Sequence, residues 1–232
     1  MNIPTKQLKP LMFECSFHVS ISPVVSDGLT ELKKIYCHRG FWKNKNDQNT
    51  KDSFLKAEMH GFSIETDLRF INSKCSISHD IEAEDSLYFD QLQSFKTSFA
   101  LNIKEDGMDV YLSNYRDWVE ETESFFFDGS VPEMLKFKNN GLRHALRLSE
   151  YEKVLSWEPE IVWLDSFHSD WWLGESNLLK NIQGKKVVVV SPEIHGRDPR
   201  QVWDYIHESY TRGRQDYSIC TDLPIEFSNA RK

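Results

Sequence analysis

From residue 34 onward, apolar and polar positions alternate in short runs, and stretches of helical or loop character separate the runs. The β-favouring runs are 34–38, 62–67, 99–104, 124–128, 143–148, 161–167, 186–191 and 217–222. A further run at 74–79 follows the second so closely that it reads as a hairpin excursion. Alternating strands and helices predict a parallel sheet, and eight such units predict closure into an α/β, (β/α)₈ barrel. Thr50 is placed to cap a helix through Phe54, Leu55, Ala57 and Met59, with Asp52 in its first turn and Gly61 just past its end. Asp198 followed by Pro199 predicts another capped start, ahead of Trp203, Tyr205, Ile206 and Tyr210. Residues 1–30 have weak periodicity. They are expected to form an extension packing on the barrel, with a short strand or hairpin near 13–21, and the barrel domain is expected over 31–232.

The polar residues at the strand ends change the picture from architecture to chemistry. Nearly every run closes on side chains suited to phosphate or metal chemistry: His38 and Arg39, Glu65 and Asp67, Asn102 and Lys104, Asp128, Arg147, Asp165, Glu193 and His195, and Asp222. Strand side chains alternate faces, so Glu65 and Asp67 point the same way as Ser63, and Asn102 and Lys104 the same way as Ala100. The apolar partners Ile64, Leu68, Leu101 and Ile103 take the opposite face, toward surrounding helices. Barrel enzymes carry their reactive groups at the C-terminal ends of the strands.

Two inward carboxylates repel unless a cation neutralises them, so Glu65 and Asp67 are the expected metal pair. Oxygen donors favour Mg²⁺ or Ca²⁺ over zinc. His38 and His79, each closing a β-favouring run, are expected as general acid and base. Arg39 and Lys104 supply positive charge for phosphate oxygens. Trp42 could stack on a sugar or alcohol group beside the phosphate, and Arg147 is expected to line the substrate pocket.

Composition narrows the class. The chain has 232 residues and a net charge of −8. That length suits one domain with a sizeable core. The acidic balance argues against nucleic acid and anionic membrane as partners. Cys15, Cys37, Cys75 and Cys220 match no zinc or C-x-x-C spacing and read as reduced thiols. There is no run long enough to span a membrane and no continuous apolar leader, so a cytoplasmic location is expected. P-loop, G-x-G-x-x-G, G-x-S-x-G and H-E-x-x-H motifs are missing.

The segments CHRG at 37–40, QNT at 48–50, FLKAEMHGFSIETDLRF at 54–70, SHD at 78–80 and ICTDLP at 219–224 occur in the order seen in one family. In them the chain resembles the glycerophosphodiester phosphodiesterases. It looks like a compact bacterial subgroup, aligned also through LNIKEDG at 101–107, FDGSVPEM at 127–134, RLSEYE at 147–152, VWLDSF at 162–167 and SPEIHGR at 191–197. The resemblance implies a TIM barrel of the phospholipase-C-like phosphodiesterase type. It also implies metal-dependent hydrolysis of a glycerophosphodiester to an alcohol and glycerol phosphate. By position it makes His38 and His79 the acid/base pair, Arg39 a phosphate contact, Glu65 and Asp67 metal ligands, and Lys104 the lysine of an E-x-K motif.

Two departures matter. Gln48 replaces a glutamate at the helix start, and Asn102 stands where the family has a metal-binding glutamate and is expected to ligate through its carbonyl oxygen, without charge. Glu193, read as lying on the same face as His195, is the candidate compensating ligand, with a helix- or loop-capping carboxylate as the equal alternative. The substrate expected is a small-molecule or glycan-linked phosphodiester. The neutral Asn102 also raises an alternative: a barrel that binds a phosphodiester or sugar phosphate without cleaving it.

Overall fold

The structure, a computed structural model, describes residues 34–71, 74–81, 86–213, 215 and 217–230. The expected extension over residues 1–30 and Cys15 lie outside the described residues. In chain order the strands are β1 (Ile35–His38), β2 (Ser63–Ile71), β3 (Lys74–Ile77), β4 (Phe99–Ile103), β5 (Phe125–Phe127), β6 (Ala145–Leu148), β7 (Ile161–Leu164), β8 (Lys186–Val190) and β9 (Tyr217–Thr221). The α-helices are α1 (Lys51–Met59), α2 (Asp109–Leu112), α3 (Arg116–Glu121), α4 (Val131–Asn139), α5 (Ser176–Asn181), α6 (Arg200–Thr211) and α7 (Pro224–Asn229).

Eight strands run parallel in the order β5-β4-β2-β1-β9-β8-β7-β6, and β3 pairs antiparallel with β2 outside that path. The sheet is thus a nearly closed barrel with helices between its strands. Closure between β5 and β6 rests on a bridge between Phe126 and His144, with the Phe126 N–H donating to the Arg143 carbonyl at 3.0 Å. Every sequence-based strand has its counterpart, and 74–79 is the excursion the spacing predicts.

The alternation sorts residues into two layers. Tyr36, Ala100, Phe125, Phe127, Ala145, Ile161, Trp163, Val188, Val190 and Cys220 fill the barrel as one buried cluster. Phe127 and Trp163 stack there with ring centroids 3.9 Å apart. This plug leaves the rim as the place for polar groups. The opposite strand faces bury against helices in two separate shells. One is built from Ile64, Leu68, Leu101, Phe126 and Phe137, the other from Val162, Leu164, Val189, Trp203 and Ile219.

Thr50 caps α1 as expected, its hydroxyl accepting the Ser53 N–H at 3.2 Å. The Asp198–Pro199 start differs by one position. Pro199 itself occupies the cap, and Asp198 accepts the Arg200 N–H at 3.1 Å instead. Among the described residues no helix is long and apolar enough to cross a membrane.

Candidate functional site

His38 ends β1, and its neighbour in the barrel is β9, so Asp222 just past β9 reaches the ring. The Asp222 carboxylate lies 2.8 Å from His38 Nδ1. An ionised carboxylate only accepts, so Nδ1 carries the proton and Nε2 is left for chemistry. That Nε2 lies 3.9 Å from Glu65 Oε2 on the adjacent β2. Burial pushes the His38 imidazole down, but the hydrogen bond to Asp222 and the charges of Glu65 and Asp222 outweigh it and raise it above its usual value. Burial, then the neighbouring Asp67 charge, pushes the Glu65 carboxyl up to about 7.

Asp222 is itself held. Its N–H donates to Glu193 Oε1 at 3.1 Å, and the Thr221 hydroxyl donates to the same oxygen. The Ser191 hydroxyl donates to the other Glu193 oxygen. Glu193 therefore spends both oxygens fixing the β8 and β9 ends. These contacts match the capping alternative for Glu193 and leave neither oxygen without a hydrogen-bond donor.

Asp67 is 1% exposed and pairs in register with Asn102 on β4. Lys104 Nζ lies 3.0 Å from Asp67 Oδ1, and Arg39 Nε lies 3.1 Å from Oδ2. Asn49 donates to Oδ2 at 3.0 Å. Burial would raise this carboxyl; the charges of Lys104 and Arg39 and the hydrogen bonds from Asn49 and Lys104 prevail and hold it below its usual value. Arg39 adopts φ 58°, a strained conformation for a side-chain-bearing residue. Its N–H donates to Glu65 Oε2 at 3.2 Å, and its guanidinium donates to Gln48 at 3.3 Å. Gly40 follows at φ +89°, and a Cβ there would lie 2.3 Å from Ser53 Oγ, so the turn demands glycine. Trp42 donates its indole N–H to the His38 carbonyl at 2.8 Å, which fixes its ring beside the end of β1.

His79 joins through backbone. The Ser78 N–H donates to the Asp67 carbonyl at 3.0 Å, bringing the β3 excursion to the rim. The His79 ring pairs with Asp80 at 2.8 Å and is 46% exposed, far more open than His38 at 18%. Arg147 belongs to a separate network, 3.2 Å from Asp128 and 2.5 Å from Glu152. Burial raises the Asp128 carboxyl to about 6 against the pull of Arg147. His195 and Asp165 form a third pair at 2.9 Å. A groove of about 370 Å³ borders Asp128, Arg147 and Glu152. A roomier cavity, about 630 Å³, lies at the opposite end beside Lys34, Tyr36, Phe125 and Ile161, so volume alone does not mark the chemistry.

A divalent ion of the Mg²⁺ or Ca²⁺ type asks for several oxygens free to turn toward it. Asp67 has both oxygens engaged by donors, Glu193 likewise, and Glu65 Oε2 is engaged by Arg39. Among the described residues no hydrogen bond reaches the acceptor Asn102 Oδ1, which could offer an ion one oxygen but no charge. No three His, Cys, Asp or Glu side chains among the described residues gather as a metal-holding group. Two unit charges about 4 Å apart interact by about 4 kcal/mol at the effective dielectric of a protein surface, and a divalent partner doubles that. Lys104 and Arg39 would repel such an ion about as strongly as Glu65 and Asp67 attract it, so with these oxygens already engaged the residues present do not fit one.

Sequence reasoning placed Asp222 only loosely and missed Asn49 altogether. The sole local signal for Asn49 was its place in QNT, next to the capping Thr50.

No sequence-family model matches the chain, and no curated protein sequence matches it. A glycerophosphodiester phosphodiesterase from Agrobacterium tumefaciens superposes with a TM-score of 0.59 at 16% identity, covering 84% of this chain and 99% of that one. A glycerophosphoryl diester phosphodiesterase from Parabacteroides distasonis gives a TM-score of 0.48 at 13% identity, covering 85% of each chain. With its parallel strands, single excursion and nearly closed rim, the chain has the (β/α)₈ barrel fold of the Agrobacterium phosphodiesterase.

Proposed function

We propose that this chain is a phosphodiester hydrolase of the glycerophosphodiester phosphodiesterase family, releasing an alcohol and glycerol phosphate. The observation that carries the reading is the His38–Asp222 pair at 2.8 Å set beside Arg39 and Lys104. A histidine fixed in one tautomer next to two cations is what proton transfer at a phosphodiester requires. The ordered HRG, E-x-D and HD segments support the same reading.

In this mechanism Arg39 and Lys104 face the non-bridging phosphate oxygens and offset the charge that develops there. His38 exchanges a proton through Nε2 with the attacking or leaving oxygen. His79, on the excursion hairpin, serves the other oxygen. The attacking group is the substrate's own glycerol hydroxyl, giving a cyclic phosphate that water then opens, or water directly. No step runs through a divalent ion, since the donors do not fit one. Trp42 and Arg147 border the alcohol side of the diester.

The test compares His38→Ala and His79→Ala for release of glycerol phosphate from a panel of glycerophosphodiesters. Both are expected to lose at least about a hundredfold in kcat. Undiminished turnover in both ends the proposal.

A further inference from the structure

Asp67 is the residue whose surroundings depart furthest from its sequence-based role. It sits on the inward face of β2, beside Asn102 on β4, with Lys104 two residues further along the same face. Each of its oxygens meets a cation, Lys104 at 3.0 Å and Arg39 at 3.1 Å. Asn49 completes the cradle. It donates to Asp67 at 3.0 Å, accepts from the Thr66 hydroxyl at 2.7 Å, and its N–H donates to the Arg39 carbonyl at 2.9 Å. Gln48 holds the far end of the guanidinium at 3.3 Å. Both residues of the loop that differ from plain spacer chemistry therefore serve the placement of Arg39.

We propose that Asp67 anchors Lys104 and Arg39 as a built-in two-cation clamp for the phosphate, and that the site works without a divalent ion. The charges balance in a simple count. Two carboxylates, Glu65 and Asp67, face two permanent cations, Lys104 and Arg39, so their sum is zero. A phosphodiester brings one negative charge, which Lys104 and Arg39 meet directly, while His38 keeps Asp222 as its own partner outside this count. A divalent ion would instead leave two positive charges before substrate and one after it. A carboxylate at position 102 would change the sum to minus one, and then an ion followed by a diester would return it to zero. Asn102 is thus the switch between the two ways of supplying positive charge, and the clamp follows from its neutrality.

The binding arm of the test needs no assumption about function; the turnover arm rests on the proposed hydrolase reading. Full-length chain stripped with a chelator is titrated with Mg²⁺ and with Ca²⁺ by calorimetry, alongside Asn102→Glu. The native chain is expected to give no saturable heat at millimolar metal. Asn102→Glu is expected to bind at least about tenfold more tightly than the native chain. Thermal denaturation in chelator, with inorganic phosphate as the probe, is expected to show stabilisation of the native chain, reduced in Lys104→Met. Turnover of glycerophosphodiesters is expected to change by less than about twofold between chelator and added metal. Saturable Mg²⁺ or Ca²⁺ binding by the native chain, or turnover abolished by chelator and restored by metal, overturns the clamp. Absence of turnover under every condition counts against the hydrolase reading, and the calorimetric comparison still decides the clamp.

Discussion

Replacing Asp222 by asparagine tests how the site governs its histidine. The pair is close at 2.8 Å, and the two side chains are 18% and 23% exposed, so water competes weakly for the bond. A charge-assisted hydrogen bond of this kind is worth about 1.5–3 kcal/mol. At 1.36 kcal/mol per decade, Asp222→Asn should lower kcat/KM by about 10- to 150-fold. The asparagine can donate to Nδ1 as well as accept, so part of the loss comes from the wrong tautomer. The effect on titration has a definite sign. His38 stands above its usual value because Asp222 and Glu65 outweigh burial. Removing the Asp222 charge leaves burial less opposed, so the imidazole falls and its limb in the pH–rate profile moves toward acid pH. Nuclear magnetic resonance titration of the His38 ring reads the same shift without substrate. Glu160→Gln, at the base of the barrel, is the control for a generic loss of one negative charge. An unmoved His38 titration in Asp222→Asn, with kcat/KM unchanged, would refute the orienting role.

Three further outcomes follow from the packing. Gly40→Ala should destabilise the fold by about 1–3 kcal/mol from backbone strain alone, with more from the clash with Ser53, as measured by urea denaturation. Trp163→Ala removes half of the stacked plug inside the barrel and should cost about 3–5 kcal/mol in the same assay. Asp128 rises from 3.8 to about 6 in the fold, so protonation favours the native state. Its contribution is present below pH 3.8 and is lost as pH rises through about 6, a swing of about 3 kcal/mol. Asp128→Asn should remove that slope; an unchanged slope in denaturation across this range would mean the carboxyl is not held protonated.

The alternation of side chains made the barrel readable, because burial on one face and polarity on the other is a local pattern. Ser63, Glu65 and Asp67 came out on one face and Ile64 and Leu68 on the other for that reason. What periodicity cannot carry is pairing across the rim. His38 and Asp222 are 184 positions apart, and only closure of the sheet makes β1 and β9 neighbours. Glu193 misled for a related cause. Strand alternation does not extend to it, because Pro192–His195 form a 3-10 turn in which Glu193 and His195 take different partners; the hydroxyls of Ser191 and Thr221 and the Asp222 N–H claim its oxygens, and local sequence does not reveal such competition. Asn49 escaped notice because a turn residue at φ 55° looks like loop chemistry until Asp67 is found beneath it.

The junction of β5 and β6 has a mechanical consequence. Elsewhere neighbouring barrel strands share ladders of three or more paired residues, whereas here one bridge closes the cylinder. The outer packing also divides near this line into two shells. Asp128 follows β5 and Arg147 lies on β6, so their ion pair spans the gap like a clasp. Amide exchange should therefore be faster along this seam than between any other neighbouring barrel strands, and loss of the Asp128–Arg147 pair would unfasten the cylinder at its weakest stave.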